Sequence, residues 1–250
     1  MFRGFYQLTS GMLSQGRRLD VIANNMTNVS TAGYKADRYT DSTAFREVML
    51  SRVGNKDKVN TEEIGPYAYI LAPDQLYTDY TQGSLEETEL PLDFAIEGDG
   101  FFAIEWNGQV AYTRAGSFNL DDEGYLALPS VGRVIGKNGQ IRIGTDKIDI
   151  DSYGRIRSED GRTNYGQIAV VDFNNYDNLE KGGNGVFYTN EQATATNGQM
   201  LWKYLERSNV NAVQEMVNMM SSQRALQSAS QVLKMYDQIM GKAVTEIGRV

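Results

Sequence analysis

Four short runs hold residue types that could do chemistry. "GDGFF" (Gly98 to Phe102) sets an acid between two glycines, as calcium and phosphate loops do. It lacks the acidic ligand set of a calcium loop and the lysine of a phosphate loop, so it reads as a tight turn into a buried strand. "KGGNG" (Lys181 to Gly185) reads as a flexible turn by the same argument. Asp121, Asp122 and Glu123 are adjacent carboxylates. Acid–base work needs one of them to have a shifted pKa, and nothing nearby raises one, so they read as solvated turn residues. "NVS" at Asn28 is a glycosylation triplet by pattern alone.

The composition narrows the chemistry further. The chain has 250 residues with no cysteine and no histidine. No disulfide or thiolate site can form, and the commonest general base and metal ligand are both missing. No catalytic residue, cofactor site or metal site is expected. A net charge of −8 argues against a nucleic-acid partner. No run of about 18 apolar residues exists, so no membrane insertion is expected. The first twenty residues are amphipathic and broken by charge, unlike a secretory signal peptide. The expectation is a protein that stays in the cytoplasm or leaves by a route that needs no cleavable signal.

With no reactive constellation, the elements themselves carry the reading. Phe5, Leu8, Met12, Leu19, Ile22, Met26 and Val29 follow a heptad-like seam with polar flanks. So thin a stripe is marginal alone and requires a partner helix. The C-terminus offers one, from Asn211 to about Ile247, roughly 55 Å long. Ala212, Met216, Met219, Leu226, Leu233, Met240, Val244 and Ile247 form one seam, with Gln223, Ser230 and Asp237 at its polar positions. A second stripe holds Val213, Val217, Met220, Val232, Tyr236, Ile239 and Ala243. Two stripes allow more than one neighbour.

Between these ends the period becomes two. Asn107-Gly108, Asp122-Glu123-Gly124 and Asn138-Gly139 each stand between alternating runs and mark hairpins. "GQIAVVDF" and "GVFYTN" read as two further strands. The fold class is α+β: terminal helices forming a coiled-coil layer, around a central, mostly antiparallel β domain. The expected division is a helical polymerisation domain of residues 1–34 plus 206–250, and a β-rich domain of 35–205. A variable arm is expected at about 36–90. Within it "DSTAFREVMLSR" reads as a short helix or an extended arm, and "GNKDKVNTEEIGP" as a mobile loop. "LDVIANNMTNVSTAGYK" (19–35) is the junction, its helix ending where Gly33 adopts a left-handed conformation.

Three blocks carry a resemblance. "SGMLSQGRRLDVIANNMTNVSTAGYK", "PLDFAIEGDGFFAIE" with "AYTRAGSFNLDDEGYL", and "LERSNVNAVQEMVNMMSSQRALQ" occur in that order. Together they closely resemble the bacterial flagellar rod and hook proteins, over most of the chain. The resemblance implies a structural, non-enzymatic subunit of the basal-body rod. Its terminal helices would line an axial channel and its β domain would lie outside them. It implies export through the flagellar type III apparatus, and partners that are other copies and neighbouring rod and hook proteins. "PLDFAIEGDGFF", "LERSNVNAV" and "NNYDNLEKGGNGVF" resemble the proximal-rod type most, whereas "ANNMTNVSTAGYK" and "GDGFFAIE" look equally distal; the resemblance slightly favours the proximal type. One departure is Gln223-Arg224-Ala225-Leu226-Gln227, where the family commonly has Gln-Arg-Ala-Tyr-Glu.

The expected subunit interface comprises Phe5, Leu8, Met12, Leu19, Ile22, Met26 and Val29, with Asn24, Asn25 and Asn28 beside them. On the C-terminal side it comprises Asn209, Asn211, Val213, Met216, Val217, Met219, Met220, Leu226, Leu233 and Met240. Each asparagine of the junction is expected to face another chain, and Gly33 and Tyr34 to form the hinge. The rival reading is a secreted cell-wall hydrolase associated with flagellar assembly. It requires two carboxylates converging in a cleft, and none stands out. A cytoplasmic helical adaptor is a third reading.

Overall fold

The computed structural model describes residues 2–53, 60–196 and 198–247. Its elements run in the order helix, β-rich middle, helix. The chain divides into two compact units: residues 1–26, 37–77 and 212–250 in the first, and 27–36 and 78–211 in the second.

The first unit holds α1 (Phe2–Thr27), α2 (Ala212–Ile247) and a two-stranded sheet of β1 (Asp37–Val53) and β2 (Asn60–Thr78). "DSTAFREVMLSR" is therefore extended, and Asn60 to Pro66 of the expected mobile loop lie in β2. The remaining loop residues, 54–59, lie outside the described residues. Pairing of β1 with β2 satisfies the backbone groups on their facing edges, which a short helix would have used locally. The start of β1 is tied to α1. Asn25 Nδ2 donates to the Asp37 carbonyl at 2.8 Å, and the Asp37 amide donates to Asn25 Oδ1 at 3.0 Å. Four residues on, Asp41 accepts from Ser14 Oγ at 2.5 Å and from Arg18 at 3.3 Å.

The covered face of α1 is turned from the one its apolar residues outline. Ile22 and Asn25 are buried and Leu8 half-buried, but Phe5 is 42% exposed. The covered positions include a 4-3 line through Gly4, Leu8, Gly11, Gln15, Arg18, Ile22 and Asn25. Of its two glycines, Gly4 lies against α2 and Gly11 has open space beside it. A Cβ on Gly4 would stand 3.6 Å from the Tyr236 hydroxyl of α2. On α2 the covered line is Glu215, Met219, Ser222, Leu226, Ala229, Leu233, Tyr236, Met240 and Ala243, again in 4-3 steps. It merges parts of both stripes read from the sequence.

The second unit is the β body. Its central sheet has six strands. β5 (Phe101–Trp106) and β6 (Gln109–Thr113) form the hairpin at Asn107-Gly108, both of which have the positive φ that a tight hairpin turn requires. Val186–Tyr188 and Glu180–Lys181 continue on one side, Val170–Asp172 and Thr194–Ala195 on the other. Small antiparallel sheets surround it: β3 (Leu85–Glu87) with Tyr204–Glu206, β4 (Phe94–Glu97) with Gln199–Trp202, and hairpins at Gly124 and Asn138. Phe94, Ile96, Phe102, Ile104, Phe118, Leu126 and Ile156 fill the main core, and Phe101, Phe173, Leu179 and Phe187 a second one. Charge is unevenly divided. Twenty-one acids oppose twelve bases in the second unit, against eleven and twelve in the first, so the whole acidic surplus belongs to the β body.

Candidate functional site

The second unit contains a polar knot made by three segments far apart in sequence. Lys35, Arg114 and Glu206 are all buried. Lys35 Nζ lies 2.6 Å from Glu206 Oε1, and Arg114 Nη1 3.2 Å from Glu206 Oε2. Two cations on one carboxylate leave a positive excess, and carbonyl oxygens face it. Thr81 accepts from Lys35 at 2.8 Å, and Gly98 from Arg114 at 2.6 Å. Burial holds the Lys35 ammonium below its usual pKa, and the Glu206 carboxylate opposes that shift.

Backbone groups complete the knot. Glu206 Oε1 also accepts from the Gly83 amide at 3.0 Å, while its carbonyl accepts from Gly33 at 2.7 Å. Asn209 takes the Ala36 amide at 2.8 Å and donates to the Asp79 carbonyl at 2.7 Å. Gly33 has φ of +68°, and a Cβ there would sit 2.3 Å from the Ala115 nitrogen. That residue has to be glycine on both counts. Lys181 donates to the Lys35 carbonyl at 2.7 Å and stands 3.9 Å over the Tyr34 ring. "KGGNG" is thus anchored by its lysine, which corrects the reading of a merely flexible turn.

These contacts give Gly33 and Tyr34 a fixed place. Both are buried, and Gly33 is held by two backbone segments. The expectation that each junction asparagine faces another chain is corrected for Asn25, because both halves of its amide are engaged by Asp37 of its own chain. Asn209 is engaged the same way. Asn24 and Asn211 are exposed, and Asn28 is half-buried, with its carbonyl and Oδ1 accepting from Thr31. Met12, Leu19, Met26, Val29, Met219, Leu226, Leu233 and Met240 are half-buried. Val213, Met216, Val217 and Met220 are exposed, Val213 to 74%. Lys35, Arg114 and Glu206 were not singled out by sequence reasoning. The one signal available was a lysine and a glutamate at the two ends of the β region.

The carboxylate trio offers no acid–base pair. Asp121 accepts from the Glu123 and Tyr125 amides and from Arg133, and Arg133 also bonds Glu123. Partial burial would raise the Asp121 carboxyl, but the Tyr125 amide and the Arg133 guanidinium hold it below its ordinary value. The same loop recurs at Asp151, whose Oδ1 accepts from Tyr153 and Arg155. Both are Asp-x-x-Gly turns with a left-handed glycine, Gly124 and Gly154. Their geometry is accounted for as turn chemistry. Among the described residues no group of acids could hold a metal ion.

Three family models match, in the order of the three sequence blocks. They are the flagella basal body rod protein over residues 5–35, the flagellar hook protein FlgE/F/G D1 domain over 95–166, and the flagellar basal body rod FlgEFG protein C-terminal region over 203–246. The flagellar basal-body rod protein FlgG of Bacillus subtilis is 32% identical, over 98% of this chain and 98% of its own. The chain belongs to the flagellar basal-body rod protein family. The rod protein FlgG of Borreliella burgdorferi is 30% identical over 97% of this chain and 98% of its own. The flagellar hook-basal body complex protein FlhO of Bacillus subtilis is 29% identical over the full length of both. As a rod-family member the chain is a structural component of the basal body. The polar knot is then a feature of the subunit's architecture. It joins the end of the first matched block (Lys35), the middle one (Arg114) and the start of the last (Glu206).

Proposed function

We propose that this rod subunit polymerises through its terminal helices, in a coiled-coil layer made with other copies and with neighbouring rod and hook proteins, and that it is not an enzyme. The observation that carries this is the exposed face of α2. Val213, Met216, Val217 and Met220 near its start, and Val232, Met235 and Ile239 further on, are all exposed, Ile239 to 66%. From Met216 to Leu233 the helix has one charged residue, Arg224. A solvated helix would alternate charges there. Loss of charge with enrichment in methionine is the composition of an interface core. Burying that face contributes about 25 cal/mol per Å² of apolar area. Export through the flagellar apparatus before assembly and a proximal-rod position complete the proposal.

The test is Met216→Asp with Met220→Asp, both exposed in the subunit. The variant should keep the β body's circular dichroism and be exported, yet leave cells non-motile with no completed rod. Normal swimming would overturn the proposal. Gold labelling of purified basal bodies reads the position along the rod directly, and label confined beneath the hook would reject the proximal one.

A further inference from the structure

We infer that Glu206 is a completion lock: the β body has no closed state until the segment around residue 206 is in place. Lys35 lies 171 residues before Glu206, and Arg114 lies 92 before it. Both cations are buried in the closed body, at 1% and 3% exposure, so a body closed without the carboxylate would hold two charges that neither water nor a counter-ion compensates. Carbonyl oxygens alone do not offset two buried charges, and removing one partner of such a set is strongly destabilising.

The same short segment delivers five other closing groups. Met200 enters the main core. Gln199–Trp202 covers the Phe94–Glu97 strand, and Tyr204–Glu206 covers Leu85–Glu87. The Glu206 carbonyl and the Asn209 amide satisfy Gly33, Ala36 and Asp79. Every other part of the body can be present and still lack its counter-ion, a core side chain and two strand partners. Closure is therefore a single event that waits for the C-terminal side. A chain that appears N-terminus first keeps its body open until residue 206 is available. The lock makes the body's folding late by construction, whatever happens to the helices.

The unmodified full chain provides the first test. In refolding followed by pulsed hydrogen exchange, the amides of Phe102, Ile104 and Ala111 should gain protection together with those of Leu205 and Glu206. Earlier protection of the β5–β6 amides would overturn the lock. The second test separates charge from shape. Glu206→Gln keeps the size and an acceptor for Gly83 but loses the counter-ion. Its thermal midpoint should fall by roughly 10 °C, nearly as far as that of Glu206→Ala. A glutamine variant as stable as the parent would overturn it equally.

Discussion

Asn25 and Asp37 exchange two hydrogen bonds, the side-chain amide of one closing on the backbone N–H and carbonyl of the other. The pairing mimics one rung of a strand ladder, supplied by a helix. It fixes where β1 begins relative to α1, and it is buried, with Asn25 only 2% exposed. Asn25→Ala removes two buried hydrogen bonds to the Asp37 backbone, which should cost about 2–3 kcal/mol. Amide exchange at Asp37 should accelerate accordingly, while that of β6 stays unchanged. Equal protection of Asp37 in the variant would contradict this account.

Gly33 and Gly161 provide a controlled comparison. Both have φ near +68°, but a Cβ on Gly161 meets nothing within 4 Å, whereas at Gly33 it meets backbone at 2.3 Å. Gly161→Ala should cost only the left-handed penalty, about 1–2 kcal/mol. Gly33→Ala should cost about 4 kcal/mol or more, since backbone has to move. Chemical denaturation of the two variants side by side distinguishes conformational strain from collision. Equal losses would place the cost in φ alone.

Lys181→Met removes a charged donor to the Lys35 carbonyl and a cation from the Tyr34 ring. The expected loss is about 2 kcal/mol. The double variant with Tyr34→Leu should lose less than the sum of the single changes, because the two side chains touch. Strict additivity would show that the contact contributes nothing.

Several tyrosines give the fold an alkaline limit. Burial pushes the Tyr176 phenol well above its ordinary value of 10, with help from its bond to Asp172, and burial also raises Tyr112. A raised folded-state pKa means stability that is complete below pH 10 and lost as pH climbs above it. Absorbance at the phenolate band should therefore lag the normal titration and then rise together with unfolding. Tyr176→Phe should move that unfolding to higher pH. A smooth titration at pH 10 with the fold intact would refute the assignment.

Much of this architecture is legible in the sequence, for local reasons. The hairpin at Asn107-Gly108 is visible because both residues tolerate positive φ and alternating strands flank them. The long helix from Ala212 is visible because no proline interrupts it and its period is sustained. The covered faces are less legible. Apolar spacing does not mark Gly4, Gly11 or Ser222, because none of them has an apolar side chain, yet all three lie on covered lines and Ser222 is only 3% exposed. The knot is the least legible part. Nothing local distinguishes Lys35 or Glu206 from any solvated charge, and only closure of the body across 171 residues brings them together. The β1–β2 pair was ambiguous for a related reason, since strand partners on each other supply hydrogen bonds that neither stretch reveals alone.

The uneven division of charge has a consequence at the scale of a polymer. In the polymer proposed above, each added copy would bring its acidic surplus in the β body, while its helices bring almost none. A growing assembly is therefore a polyelectrolyte that gathers a cloud of small cations as it lengthens. At physiological salt the repulsion between copies fades over roughly 8 Å, and at ten-millimolar salt over about 30 Å. Dissolved ions would then be a component of that assembly, and dilution of salt alone should loosen it.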